Sequence, residues 1–248
     1  MATFITPTEI SQSGFTSLQF NTVNVSSIVP PGTTGIIILM QSTTTGIQTK
    51  WRKTGSTDDI PAQVSNQSQQ QVYCGVDNKR RFDFYFSGGT YKLYVIGYFG
   101  SEAVFFTNAV SKGLMPAQTW TNIDISSNIE SGDSAVAAIV QTNDGAYGFS
   151  YRHPSSSNPT SVGGNGPSFA IVGCNPSKIF QIYSARGTPT DTLYVKGYIR
   201  SGIFWNINNI SRNVTTTNVA TSISQDNVPG YLYKAEGNYP IIVNRNLD

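Results

Sequence analysis

Apolar and polar residues alternate with period two along much of this chain. Phe82, Phe84 and Phe86 alternate with Arg81, Asp83 and Tyr85, and Leu93, Val95 and Gly97 alternate with Tyr94, Ile96 and Tyr98. Side chains on a strand point to opposite faces in turn, so this pattern predicts half-buried β-strands. Strands are expected near 18–26, 34–42, 47–53, 70–76, 81–87, 91–99 and 102–108. No window of three turns carries a helical apolar stripe. Glycine and β-branched residues are spread throughout, which disfavours helices.

The pattern is written twice. Phe20, Val23, Val25, Ser26-Ser27, Val29, Gly32 and Gln41 match Trp120, Ile123, Ile125, Ser126-Ser127, Ile129, Gly132 and Gln141. Trp51-Arg52 matches Tyr151-Arg152 at the same offset. Gly75, Phe82 and Tyr85 match Gly173, Phe180 and Tyr183 at an offset two shorter. Leu93 to Val95, Gly97-Tyr98, Ser101, Asn108 and Ser111 match their counterparts from Leu193 to Ser211. Ala103, Phe105 and Thr107 answer to Ile203, Trp205 and Ile207, a second inward-facing set. The expected fold class is all-β: two tandem β-sandwich or jelly-roll-like domains related by an internal repeat, plus a C-terminal arm. The expected division is an N-terminal arm 1–11, module one 12–112, module two 113–212 and a C-terminal extension 213–248. Gly113 and Pro116 make 112–118 a short hinge. In the extension, Asn213 to Ser224 is rich in Thr, Asn and Ser, Pro229-Gly230 marks a turn, and Tyr239 to Val243 reads as one late strand.

Two details refine the pattern. Val-x-Gly-Tyr at Gly97 and Gly197 predicts a bulge or a close backbone approach. Lys196 stands where module one has Ile96, which marks the Tyr94/Tyr98 side as the wetter face and Leu93/Val95 as the core face.

Composition narrows the function. Charged residues are 12% of the 248 residues, half the usual share of about 25%, so solubility comes from neutral polar groups. A net charge of +2 does not suggest a nucleic-acid or membrane-surface protein. The first eleven residues lack a basic region followed by an apolar one, so no signal peptide is expected, and no apolar run is long enough to span a membrane as a helix. Cys74 and Cys174 occupy different places in the two repeats, which excludes a bridge repeated within each module; two small buried thiols are expected, with a single Cys74–Cys174 bridge between the modules as the alternative.

Reactive groups are sparse, and neither catalytic residues nor a cofactor or metal is expected. The one histidine, His153, answers to Lys53 in the first repeat and reads as a surface position at a strand end. Asp58-Asp59, in a Gly/Ser/Thr loop, faces Asn158-Pro159 in the second and reads as a solvated loop rather than a calcium site. Glu102, Glu130, Asp144 and Asp191 supply carboxylates, but nothing selects a catalytic pair. Gly163 to Gly166 opens no helix and so is no phosphate cradle. Lys79-Arg80-Arg81 is the only basic run, and Lys79 and Arg80 are candidate rim charges. Arg52 and Arg152, each beside an aromatic, are expected to stack on a ring or bond a loop carbonyl.

Aromatic residues are 12% of the chain. Tyr85, Tyr94, Tyr98 and Phe106 have outward parity, and Tyr183, Tyr194 and Tyr198 repeat three of them. Outward aromatics offer large contact area at low entropy cost and are candidate interaction residues, unless the other module or the C-terminal segment covers them.

Val25-Ser26-Ser27, Pro30 to Gly32, Leu93 to Tyr98 and Asn108 to Ser111, with their second-module counterparts, resemble the tandem β-sandwich structural proteins of tailed-bacteriophage virions. Within that group the pattern is most similar to capsid cement or decoration proteins. The resemblance covers about 12–212 and implies a non-enzymatic, homo-oligomeric, often trimeric protein seated on the major capsid protein of the virion. Synthesis in the host cytoplasm is expected, with neither nucleic acid nor membrane as a partner. The alternative is a tail-fibre or lectin-like glycan-binding module.

Overall fold

The computed structural model describes residues 2–44, 46–64, 69–143, 149–156, 169–184 and 191–200, together with a small pairing of two further strands near the C-terminus. The first fifteen strands are β1 (Thr3–Glu9), β2 (Phe20–Asn24), β3 (Gly35–Ser42), β4 (Ile47–Lys53), β5 (Pro61–Val64), β6 (Gln69–Gly75), β7 (Arg81–Phe86), β8 (Tyr91–Phe99), β9 (Ala103–Leu114), β10 (Thr121–Asp124), β11 (Ala137–Thr142), β12 (Phe149–Arg152), β13 (Phe169–Gly173), β14 (Ile179–Ser184) and β15 (Thr192–Ile199). A 3-10 turn covers Ser126–Asn128. Strands β16 (Tyr233–Lys234) and β17 (Pro240–Ile241) pair with each other, and β17 lies inside the late strand expected at 239–243. The rest of the C-terminal extension, including the expected Pro229-Gly230 turn, lies outside the described residues. So do Asp144, Asn158-Pro159 and Gly163 to Gly166.

The first fifteen strands form four antiparallel sheets. The first outer sheet has the order β2-β7-β4-β5 and the first inner sheet β1-β8-β3-β6; the second inner sheet is β9-β15-β11-β13 and the second outer sheet β10-β14-β12. Three cores hold them as one stack. Trp51, Phe82, Phe84, Ile36, Ile38, Leu93 and Val95 fill the space between the first pair. Phe180, Ile182, Val140, Leu193 and Val195 fill the second. Ile37, Leu39, Ile96, Phe99, Phe105, Ile139 and Ile199 join the two inner sheets. The inner sheets are therefore covered on both faces, which is why their strands read as near-continuous apolar runs such as Gly35 to Met40.

Matching registers recur in the two halves. Val23 pairs with Phe82 and Ile123 with Phe180; Trp51 pairs with Phe84 and Tyr151 with Ile182. Ile37 pairs with Gly97 and Ile139 with Gly197, and each ladder then skips a residue. This is the bulge expected at both glycines, and the close approach is there too. A Cβ on Gly97 would lie 2.8 Å from the Thr3 carbonyl oxygen, and one on Gly197 would overlap the Val104 carbonyl.

The bulge corrects the facing of two tyrosines. It flips the parity beyond Ile96, so Tyr98 packs on the first core with Leu93 and Val95, and Tyr198 is fully buried in the second. The opposite face of β8, with Tyr94, Ile96 and Phe99, lies in the middle core and is not a wet face. The register also pairs Leu39 with Tyr94 and Gln141 with Tyr194. Gln141 thus stands where the first half has Leu39, two positions from the Gln41 with which the sequence aligned it.

The inner sheets also exchange chain. Strand β9 begins inside the residues expected for module one, yet it pairs with β15 of the second half and runs to Leu114, into the expected hinge at 112–118. The equivalent edge of the first inner sheet, beside β8, is taken by β1, from the residues expected to be an arm.

Candidate functional site: matched faces on the two outer sheets

The exposed faces of the outer sheets carry the same arrangement. On the first, Phe20, Tyr85 and Lys50 stand in one cross-strand row, and Thr22, Asp83 and Arg52 in the next. The Arg52 guanidinium lies 3.6 Å from the Phe20 ring centroid, and the Phe20 and Tyr85 rings are 5.8 Å apart. Asp83 fixes the guanidinium at 3.3 Å and accepts hydrogen bonds from the Thr22 and Thr54 hydroxyls. A second Arg52 nitrogen donates to the Asp58 carbonyl at 3.2 Å. Both roles expected for this arginine, stacking and carbonyl bonding, are met. Lys50 lies 4.6 Å from the Tyr85 centroid and pairs with Asp59 at 2.6 Å.

On the second outer sheet the Arg152 guanidinium lies 3.9 Å from the Trp120 centroid, and Trp120 and Tyr183 are 5.5 Å apart. The carboxylate is replaced by an amide: Arg152 donates to the Gln181 side-chain oxygen at 2.6 Å, and Gln181 donates to Asn122 at 2.8 Å. Cation–π contacts of this kind are worth about 0.5–1 kcal/mol at exposed sites. They hold large side chains in one rotamer, which lowers the entropy cost of contacting a partner.

Of the candidate interaction residues, Tyr85 and Tyr183 lie half-buried on these faces. Tyr94 packs in the middle core and Tyr98 against the first. Phe106 packs against the second core, its ring 5.9 Å from that of Tyr198. The Tyr198 hydroxyl donates to Asp133 at 2.5 Å, and burial together with that carboxylate pushes it up to about 12. Tyr194 is half-buried beside Gln141 in the ladder.

The basic run resolves into a turn. Arg80 has φ of 59° and donates to the Ser26 and Val29 carbonyls, so it fastens a loop. Arg81 pairs with Asp77 at 2.7 Å, and Lys79 alone is exposed. Lys178 and Asn175 build the same turn in the second half, with φ of 62° at Lys178. Phe20, Trp120, Lys50 and Gln181 are the residues that sequence parity overlooked. The signal that finds them is the cross-strand register, which sets Phe20 opposite Tyr85.

The other groups with chemical potential are held structurally. His153 accepts a hydrogen bond from the Ser155 amide at its Nδ1, 3.1 Å away. Asp58 is not in a solvated loop: both its oxygens accept from the Ala109 amide, and Lys196 approaches at 3.7 Å. Asn108 closes the same join by accepting from Ser56 and Thr57. The two cysteines are free and buried. Among the described residues, no group of three or more His, Cys, Asp and Glu side chains is placed to hold a metal ion. No helix among them is long and apolar enough to cross a membrane.

No family model matches the chain, and no curated protein or solved structure compared with it matches either.

Proposed function

We propose that this chain is a non-enzymatic structural protein of a tailed-bacteriophage virion, a capsid cement or decoration protein that binds the major capsid protein and stabilises the head. One observation carries the reading. The stack of four sheets presents two like faces, Phe20–Tyr85–Arg52 on one outer layer and Trp120–Tyr183–Arg152 on the other. A body with two matched, rigid aromatic–arginine faces is suited to bridging two like neighbours, since aromatic and arginine side chains supply most of the energy at protein interfaces.

A face of about 800 Å² per partner suffices for specific binding, and many copies on one particle add avidity. Self-association, with a trimer as the favoured state, belongs to the same reading. So does the role of residues 213–248 as an arm that binds a neighbour. The glycan-binding alternative ranks second, because Arg52, Lys50 and Arg152 lie over the Phe20, Tyr85 and Trp120 rings, where a stacking sugar would sit.

The test is co-sedimentation with capsids of the encoding phage assembled without this protein. Wild type should saturate them, Arg52→Ala/Arg152→Ala should bind at least about tenfold more weakly, as expected for loss of more than 1.4 kcal/mol, and each single variant should lie between. Absence of capsid binding by a folded wild-type chain would overturn the reading; saturable hits on a glycan array would favour the alternative.

A further inference from the structure

We propose that the second outer face holds a site for a primary ammonium group, the tip of a lysine side chain on the docking partner, over the Tyr183 ring and beside the Ser150 hydroxyl. This rests on the reading of the outer faces as docking surfaces, but not on which protein docks there.

The first face shows the occupied form of the site. Phe20, Tyr85 and Lys50 stand in one cross-strand row. The Lys50 ammonium lies 4.6 Å from the Tyr85 ring centroid and donates to Asp59 at 2.6 Å. A flanking aromatic, a tyrosine ring, an ammonium and an oxygen acceptor all come from this one chain.

The second face repeats the row with one change. Trp120 flanks Tyr183 at 5.5 Å, as Phe20 flanks Tyr85 at 5.8 Å. Ser150 pairs with Tyr183 where Lys50 pairs with Tyr85. Its neighbours Phe149 and Tyr151 pack on the second core, so strand alternation turns the Ser150 side chain to the outer face. Serine has neither the long stem nor the charge of lysine. Among the described residues no cation lies over the Tyr183 ring. The ring face that attracts Lys50 in the first half is left untaken in the second.

The Ser150 hydroxyl points the same way independently. Ser150 is 6% exposed, and its side-chain oxygen has no hydrogen-bond partner. Buried polar groups are nearly always paired, and an unpaired one calls for a missing partner. An ammonium placed over Tyr183 as Lys50 is placed over Tyr85 brings N–H donors to that oxygen, just as Lys50 brings them to Asp59. Cation–π attraction strengthens where water is excluded, and hydrogen bonds from a charged donor are stronger than neutral ones. A sugar ring stacking on Tyr183 would bring no charge, so the two occupants are separable by experiment.

Butylammonium chloride, the lysine side chain without its backbone, is the probe. Titrated into the full chain at constant ionic strength, it should shift the Tyr183 and Trp120 ring signals in NMR spectra saturably. Half-saturation is expected below about 100 mM, as a cation–π contact reinforced by one hydrogen bond gives. The neutral isostere 1-butanol should need a concentration at least about tenfold higher. Ser150→Lys supplies the ammonium from the chain itself, as Lys50 does, and should abolish the response. Tyr183→Leu removes the ring and should abolish it too, which keeps the test decisive where Ser150→Lys does not fold. Lys50→Ser should create a second response, at Tyr85.

No saturable shift in the wild type overturns the proposal. So does an equal response to 1-butanol, or a response that survives in a folded Ser150→Lys or Tyr183→Leu chain. Saturation by methyl glucoside and not by butylammonium overturns it in favour of a glycan. Capsid binding without a butylammonium response sinks this site and leaves the head-protein reading standing; a butylammonium response without capsid binding does the reverse.

Discussion

The Lys196 ammonium donates a hydrogen bond to the Trp51 carbonyl, 3.0 Å away, across the join between the two sandwiches. Its side chain is 6% exposed, Asp58 lies 3.7 Å from it, and burial holds the ammonium below the usual lysine range. A buried charge with both a carbonyl and a carboxylate beside it acts as a registration point. Removing one member leaves the other desolvated and unpaired.

Lys196→Met keeps the volume and removes the charge. It should cost about 3 kcal/mol in urea unfolding, the order observed when a buried pair is broken from one side. Adding Asp58→Asn should recover part of that loss, since contacting residues couple. Strictly additive losses would mean that the two do not act together.

Gln141 is fully buried, and neither its amide nitrogen nor its carbonyl oxygen has a hydrogen-bond partner. It stands in the register of Leu39. Gln141→Leu should therefore stabilise the protein by about 1–3 kcal/mol, the penalty of an unmade hydrogen bond, read as a higher denaturation midpoint at unchanged slope.

Burial pushes the Cys74 and Cys174 thiols up to about 12. Since the thiolate is the reactive form, the native chain should not react with a disulfide reagent at pH 8, and the denatured chain should release two equivalents. Reaction of the native chain at the rate of an exposed thiol would contradict the packing described for both residues.

Asp77 organises the turn before β7. Burial alone would raise its carboxyl, but hydrogen bonds from the Arg81 side chain and amide outweigh that and hold it below the usual carboxylate range. A carboxyl depressed in the folded state gives stability that is present above its unfolded value and is lost as pH falls through the folded one. Asp77→Asn keeps the acceptor, as Asn175 does in the second half. The variant should fold, lose about 1 kcal/mol or less at neutral pH, and show a shallower loss of stability in acid.

Much of this architecture was legible in the sequence, and particular residues show where legibility ended. The strands expected at 34–42, 47–53 and 91–99 were found almost to the residue, 34–42 because its apolar run is strand-sized and 47–53 because it alternates. The bulge at Gly97 was read from the same pattern, but its effect on Tyr98 was not carried through: one extra residue in a strand reverses every facing beyond it. Lys196 was read as a sign of water because lysine seldom lies fully buried. Only the Trp51 carbonyl and Asp58, far away in sequence, explain its place. The outer faces needed register: Phe20 and Trp120 were visible as repeat partners, but a single strand does not reveal which tyrosine lies opposite.

The middle core makes one body of the two sandwiches. Phe105, from the strand that crosses between them, is its keystone. Differential scanning calorimetry of wild type and Phe105→Ala tests this most directly. One cooperative transition is predicted for wild type, with a loss of about 3–5 kcal/mol in the variant and separation into two transitions. Two transitions in the wild type, with only one of them shifted by the substitution, would contradict the account.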